Sequence, residues 1–182
     1  MKKILLLLFL VLSCVGRAQT KPVKPFEFEF TTGVCMPLGA YHNGYALETP
    51  VLAMNLRYNI KNTPWSCGFL WQIDSARRDF WHNKADKWQN NRTISLALTG
   101  EYNWGQGKKV NPFAGISIGA GFNQTIGDTF IDEREGASLA FIPKIGVELW
   151  HFLRVNTHLQ LSRKGFHTYG FSLGFVLGGR PR

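Results

Sequence analysis

The sequence predicts an all-β fold: an eight-stranded antiparallel up-and-down transmembrane β-barrel with a polar interior. Three observations predict it. Segments of about ten residues alternate apolar and polar side chains some eight times along the chain, the period of a strand whose two faces meet different surroundings. The links between these segments alternate short and long. The chain opens with the residue order of an export leader, and no later run approaches the ~20 apolar residues a helix needs to cross a bilayer, so strands must make any crossing.

The leader comes first. Met1-Lys2-Lys3 is positive, Ile4 to Val15 is uncharged and rich in Leu, and Gly16-Arg17-Ala18 before Gln19 has the small-x-small form of a cleavage site. Residues 1–18 are therefore expected to be a signal peptide, 19–25 an N-terminal periplasmic segment, 26–178 the barrel and 179–182 a periplasmic tail. A rival reading takes Val11-Leu12-Ser13-Cys14 as a lipobox with Cys14 lipidated, but Leu before the small residue fits it poorly.

The first strand, from Phe26 to about Met36, sets Phe26, Phe28, Phe30 and Val34 against Glu27, Glu29, Thr31 and Gly33. The second, from Val51 to Ile60, sets Leu52, Met54, Leu56 and Tyr58 against Ala53, Asn55, Arg57 and Asn59. In the third, Trp65 to Asp74, Cys67, Phe69, Trp71 and Ile73 oppose Ser66, Gly68, Gln72 and Asp74. The fourth, Thr93 to Trp104, alternates most cleanly, with Ile94, Leu96, Leu98 and Tyr102 against Ser95, Thr99, Glu101 and Asn103. The fifth spans Phe113 to Phe122, with Ile116 and Ile118 against Gly115, Ser117 and Gly119. The sixth, ending at Leu149, opposes Leu139, Phe141, Ile145 and Val147 to Ser138, Lys144, Gly146 and Glu148. The seventh, Leu153 to Leu161, opposes Val155 and Leu159 to Arg154, Asn156, His158 and Gln160. The eighth, Thr168 to Leu177, opposes Tyr169, Phe171, Leu173, Phe175 and Leu177 to Gly170, Ser172 and Gly174.

Tight links fall at 62–64, 105–111 and 150–152, and long ones at 39–50, 75–92 and 123–137, with a short fourth external loop at 163–167. Short periplasmic turns alternating with long external loops characterise bacterial outer-membrane barrels, whose even strand number puts both termini in the periplasm. On that topology Tyr58, Trp65, Tyr102, Trp104, Trp150 and Phe175 fall near the periplasmic rim, and Trp71, Phe122 and Tyr169 near the outer one. Aromatic side chains suit such interfaces because ring and polar edge meet acyl chain and headgroup together.

Face chemistry separates this fold from a soluble barrel, which puts its apolar residues inside. Here the polar face is rich in glycine, which weakens an exposed strand but makes room inside a narrow barrel. It also carries Glu27, Glu29, Asp74, Glu101 and Glu148 with Arg57, Lys144, Arg154 and His158. These nine are expected to form an interior polar network, because buried charges must be paired to offset desolvation.

The net charge is +9 at pH 7, of which Lys2, Lys3 and Arg17 belong to the leader. The remaining bases are scattered over turns and loops without a stripe, so nucleic acid is not expected as a partner and anionic lipid is. Cys35 and Cys67 are expected on opposite faces of the wall, which rules against a disulfide.

In this pattern the chain resembles the small eight-stranded outer-membrane barrels of the OmpX and OmpA-transmembrane-domain type, particularly the short barrels of Bacteroidota. Thr168-x-Gly170-x-x-Leu173-x-Phe175 is similar to the C-terminal signal by which the barrel-assembly machinery recognises its clients, although the chain continues to Arg182 beyond it. Asp74-Ser75-Ala76 resembles the O-glycosylation tripeptide of Bacteroidota. The resemblance implies insertion into the outer membrane, with lipid and lipopolysaccharide as surroundings.

No catalytic constellation stands out. A lipid A-modifying acyltransferase or deacylase, the enzyme class that shares this architecture, would need a base paired with a nucleophile at the outer rim. His42, His82 and His167 are expected in external loops with Ser75 and Asp79 nearby, but no spacing pairs them, and no metal or other cofactor is expected from them. A narrow pore is the other alternative, opposed by the length of the interior side chains. The second loop carries Arg77, Arg78, Phe80, Trp81, Lys84, Lys87 and Trp88, a mixture suited to lipopolysaccharide phosphates or to another protein. Asp128, Asp132, Glu133 and Glu135 make the third loop acidic, so it could pair with the second. The expected role is thus that of a non-catalytic integral outer-membrane barrel, structural or protein-interacting, alone or as an accessory subunit of a larger complex.

Overall fold

The computed structural model describes residues 23–38, 44–47, 49–82, 85–127 and 135–179. They form nine strands: β1 (Phe26–Pro37), β2 (Gly44–Leu47), β3 (Thr49–Asn59), β4 (Trp65–His82), β5 (Ala85–Asn103), β6 (Val110–Gly127), β7 (Gly136–Leu149), β8 (Leu153–Gln160) and β9 (Thr168–Gly178). Eight of them close into an all-antiparallel barrel. Each pairs with the next along the chain, β1 with β3 and then onward to β9, and β9 returns to β1 with Glu27 opposite Gly178 and Pro37 opposite Thr168. Closure leaves no barrel edge with unpaired backbone groups. The ninth strand, β2, lies outside the ring and pairs with β4 from Gly44–Phe80 to Leu47–Arg77.

The barrel is inside out by the standard of a soluble protein. Its outward positions are apolar and exposed, with Leu98 at 73% and Leu139 at 70%, while Arg57 and Arg154 are each 1% exposed inside. Alternation dictates this result once one face is committed, since every second side chain must follow. A few apolar side chains also point inward. Ala53, Leu70, Ala97 and Ile142 make a small cluster, and Phe113 lies under the Arg154 guanidinium, 3.8 Å from carbon to ring centroid.

Three expectations about the links need correction. The stretch 75–92 is not a loop: β4 and β5 run on as one hairpin, paired from Trp65–Tyr102 out to His82–Ala85. Strand pairing needs only backbone bonds, so it continues where the side-chain order gives no alternating pattern. For the same reason β2 and the start of β3 occupy part of 39–50, and β6 extends to Gly127 with β7 starting at Gly136, which shortens the third link. Residues 1–22, with the expected leader and Cys14, lie outside the described residues, as do His42, Lys84, Asp128, Asp132 and Glu133.

The short turns fall at the same end as the two chain ends of the barrel. In the β7–β8 turn Trp150 and His151 adopt positive φ, at 52° and 64°, and Asn62 does so in the β3–β4 turn at 60°. The aromatic residues of this end pack edge to face, Trp65 on Tyr102 at 4.9 Å and Tyr102 on Trp104 at 5.1 Å between centroids. Phe26 packs on Tyr58 in the same way at 5.4 Å.

Candidate functional site

Inward polar positions from five of the barrel strands meet in the lower half of the lumen, the half nearer the chain ends. From β3, Arg57 donates through Nη2 to Glu27 Oε2 at 2.9 Å, and through Nη1 to Glu29 and to Glu101 Oε2 at 3.3 Å. From β8, Arg154 Nη1 donates to Glu29 Oε2 at 3.1 Å and Glu101 Oε2 at 3.0 Å, while its Nε reaches Glu148 Oε2 at 3.0 Å. Lys144 of β7 pairs with Glu101 Oε1. Glu101 of β5 therefore takes three cations, and it is fully buried.

Neutral side chains complete this layer. Asn59 Nδ2 donates to Glu27 Oε1 at 2.7 Å, Thr31 Oγ1 to Glu29 Oε1 at 3.0 Å, and Asn55 Nδ2 to Glu101 Oε1 at 3.4 Å. Four carboxylates thus share three cations and several amide and hydroxyl donors. Because β8 and β5 lie on different sides of the ring, Arg154 bridges the bore as well as lining it.

Asp74 and His158, the other two polar positions singled out from the sequence, form a separate cluster. Asp74 Oδ2 accepts from Thr168 Oγ1 at 2.6 Å and lies 3.2 Å from His158 Nε2, and its Oδ1 accepts from Gln72 Nε2 at 2.8 Å. On β4 the inward order is Ser66, Gly68, Leu70, Gln72, Asp74, so Leu70 parts this cluster from the charged layer. The His158 ring lies directly over Gly170, where an added Cβ would overlap ring atoms. Between the two clusters a cavity of about 20 Å³, lined among others by Asn55, Gln72, Asn156 and Ser172, has room for a single water. Farther along, Gln160 bonds Ser95 at 2.7 Å, and Ser162 bonds Asn123 and Ser138 at 2.9 and 2.7 Å.

Thr168 and Gly170 of the C-terminal pattern thus face inward, whereas Leu173 and Phe175 point outward and are exposed. Arg77 is exposed on the hairpin beyond the rim. Of Arg78, Phe80, Trp81, Lys87 and Trp88 only the strand backbone is described, and their side chains lie outside the described residues, as does that of His82.

The outer rim does not assemble a base and a nucleophile from the described candidates. Ser75 is buried, with its hydroxyl donating to Asn90 Oδ1 at 2.7 Å, and His167 Nδ1 accepts from the Ser162 backbone N–H at 3.1 Å. Burial also withholds Ser75 from a glycosylating enzyme in the folded state. Cys35 faces inward, its thiol against the Ser75 carbonyl at 3.1 Å, and Cys67 faces outward, so the wall separates them. Among the described residues no three His, Cys, Asp or Glu side chains group as metal ligands.

Two features of this site escaped the sequence pattern. Phe113 shares the parity of Gly115 and Ser117 and so was legible as inward, but its stacking under Arg154, whose guanidinium reaches Glu29 and Glu101, was not. The asparagines Asn55 and Asn59 were legible as inward but not as carboxylate donors, because donors from different strands meet only once register is known.

No family model and no curated protein matches the sequence. Solved structures of similar shape exist. Neisserial surface protein A is similar at 11% identity over 84% of this chain and 96% of that one, with a TM-score of 0.50. The outer membrane protein OprG from Pseudomonas aeruginosa follows at 10% identity over 88% and 100%, TM-score 0.49. Ail, the attachment invasion locus protein of Yersinia pestis, solved with the heparin analogue sucrose octasulfate, matches at 11% identity over 87% and 100%, TM-score 0.46. At such identities the likeness is one of fold, an eight-stranded antiparallel barrel.

Proposed function

We propose that this chain is a non-catalytic integral outer-membrane barrel with a structural or protein-interaction role, serving as an accessory subunit of a larger outer-membrane assembly. The observation that carries the membrane reading is the inversion of the barrel. A wall whose outward side chains are Phe, Leu, Ile and Val, and whose lumen is closed by paired charges, is stable in hydrocarbon and unstable in water. Absence of catalysis fits a rim whose Ser75 is buried and whose His167 is tied to the backbone.

Residues 1–18 serve as the leader in this reading, with both chain ends in the periplasm. Its support is that the short turns lie at the end where β1 begins and β9 finishes, while the long β4–β5 hairpin projects from the other. The pattern at Thr168, Gly170, Leu173 and Phe175 is offered to the barrel-assembly machinery during insertion. The basic residues of the projecting hairpin, Arg77, Arg78, Lys84 and Lys87, meet lipopolysaccharide phosphates or a protein partner.

Gentle detergent extraction of the tagged protein from its own outer membrane, followed by native mass measurement, tests this. A stoichiometric partner that disappears when Trp81 and Trp88 are replaced by Ala is the expected result. A lone species of monomer mass overturns the accessory role, and recovery in the soluble fraction overturns the membrane reading itself.

A further inference from the structure

The wall has a flaw between β7 and β8. Pro143 sits within β7, and the ladder to β8 is regular from Leu149–Leu153 only as far as Lys144–His158, resuming beyond as the single bridge Phe141–Leu161. At that bridge both backbone bonds are made, Phe141 N–H to Leu161 O at 2.8 Å and Leu161 N–H to Phe141 O at 2.9 Å. In an antiparallel ladder bonded pairs recur every second residue, so Pro143 and Leu159 stand opposite each other in a bonding position. Proline has no N–H. The Leu159 carbonyl therefore lacks its ladder donor, on a wall where an unsatisfied polar group costs several kcal/mol in hydrocarbon.

Over this flaw the outer surface is hollowed into an apolar groove of about 300 Å³, walled by Pro143, Ile145, Thr157, Leu159 and Tyr169. Its floor is the backbone of Lys144 and His158, whose side chains turn inward to Glu101 and Asp74. The Thr157 hydroxyl donates to the Gly170 carbonyl at 2.9 Å, which leaves its oxygen as an acceptor too. The groove thus joins an apolar surface continuous with the outward wall to an acceptor in need of a donor.

From this combination we infer that the groove is a binding site for one lipid acyl chain that carries a hydrogen-bond donor, a hydroxyl on the chain, and that the donor bonds the Leu159 carbonyl. The apolar walls hold the chain, and the hydroxyl replaces the N–H that Pro143 lacks. An acyl chain without a donor fills the same groove and leaves the carbonyl unsatisfied, so the site discriminates between the two. The inference rests on the membrane reading above.

The test uses the full mature chain reconstituted into phosphatidylcholine nanodiscs doped with equal amounts of two synthetic lipids, one with a 3-hydroxyacyl chain and one with the matching plain chain. Native mass spectrometry then reads which lipid stays bound. The hydroxylated lipid should be retained about tenfold over the plain one, the ratio that one net hydrogen bond supports. Pro143→Val, which restores the N–H, should bring the ratio to about one, and Leu159→Trp, which fills the groove, should abolish retention of both. Leu98→Trp, on the far outward wall, should change neither. Equal retention of the two lipids by an inserted wild-type protein, or the same loss in Leu98→Trp, overturns the inference alone. A protein that does not insert into the nanodisc overturns the membrane reading with it.

Discussion

Arg154 is the residue on which the charged layer turns, since one guanidinium ties carboxylates from β1, β5 and β7 while lying on the ring of Phe113. Replacing it with Met keeps the volume and removes the charge, which leaves Glu29, Glu101 and Glu148 short of a cation they share. Removing one partner of a buried pair commonly costs about 3–5 kcal/mol. The Arg154→Met protein should therefore unfold at lower urea concentration in detergent micelles, with a loss in that range measured by tryptophan fluorescence. Glu148→Gln should cost much less, because it withdraws a surplus negative charge. Which side of the wall each of these residues takes can be read from the sequence, because the dyad assigns Glu27, Glu29, Arg57 and Arg154 to the polar face without knowledge of the fold. Which partner each one finds cannot, because Arg154 and Glu29 are brought together only when β9 closes the ring between them.

Among the elements, the β7–β8 turn and the β4–β5 hairpin mark two kinds of limit. Trp150 and His151 both hold positive φ, a region that costs a residue with a Cβ about 1 kcal/mol and glycine almost nothing. The His151→Gly variant should accordingly be more stable by about 1 kcal/mol, read as a rise in the urea midpoint with an unchanged slope. Trp150 is a poorer site for the same change, since its ring stacks on Phe152 at 6.2 Å. Tight links such as this one were legible because little chain separates two alternating segments. The outer part of the hairpin was not, for there the residue order loses its apolar–polar alternation while the backbone pairing continues out to His82–Ala85. Pro143 stands inside β7, and the strand persists because its missing N–H points toward β8 while pairing with β6 continues through Ile116–Pro143.

At the level of the whole molecule, the lumen is shut. Arg57 and Arg154 cross it at the charged layer, and the cavity beside them, about 20 Å³, has no room for a hydrated ion. Planar bilayer recordings should show no steady single-channel current from the reconstituted protein, and regular conductance steps of uniform size would restore the pore alternative. The ring is also sealed by the pairing of its first strand with its last, Glu27 opposite Gly178. That seam joins the earliest and latest parts of the barrel to be synthesised, so every intermediate short of the full length has two unpaired edges. Such a chain has no stable half-way form in a membrane, where each open edge is penalised. Its assembly is therefore a decision taken once, after translation has passed residue 178, and a chain truncated within β9 forfeits the entire barrel rather than an eighth of it.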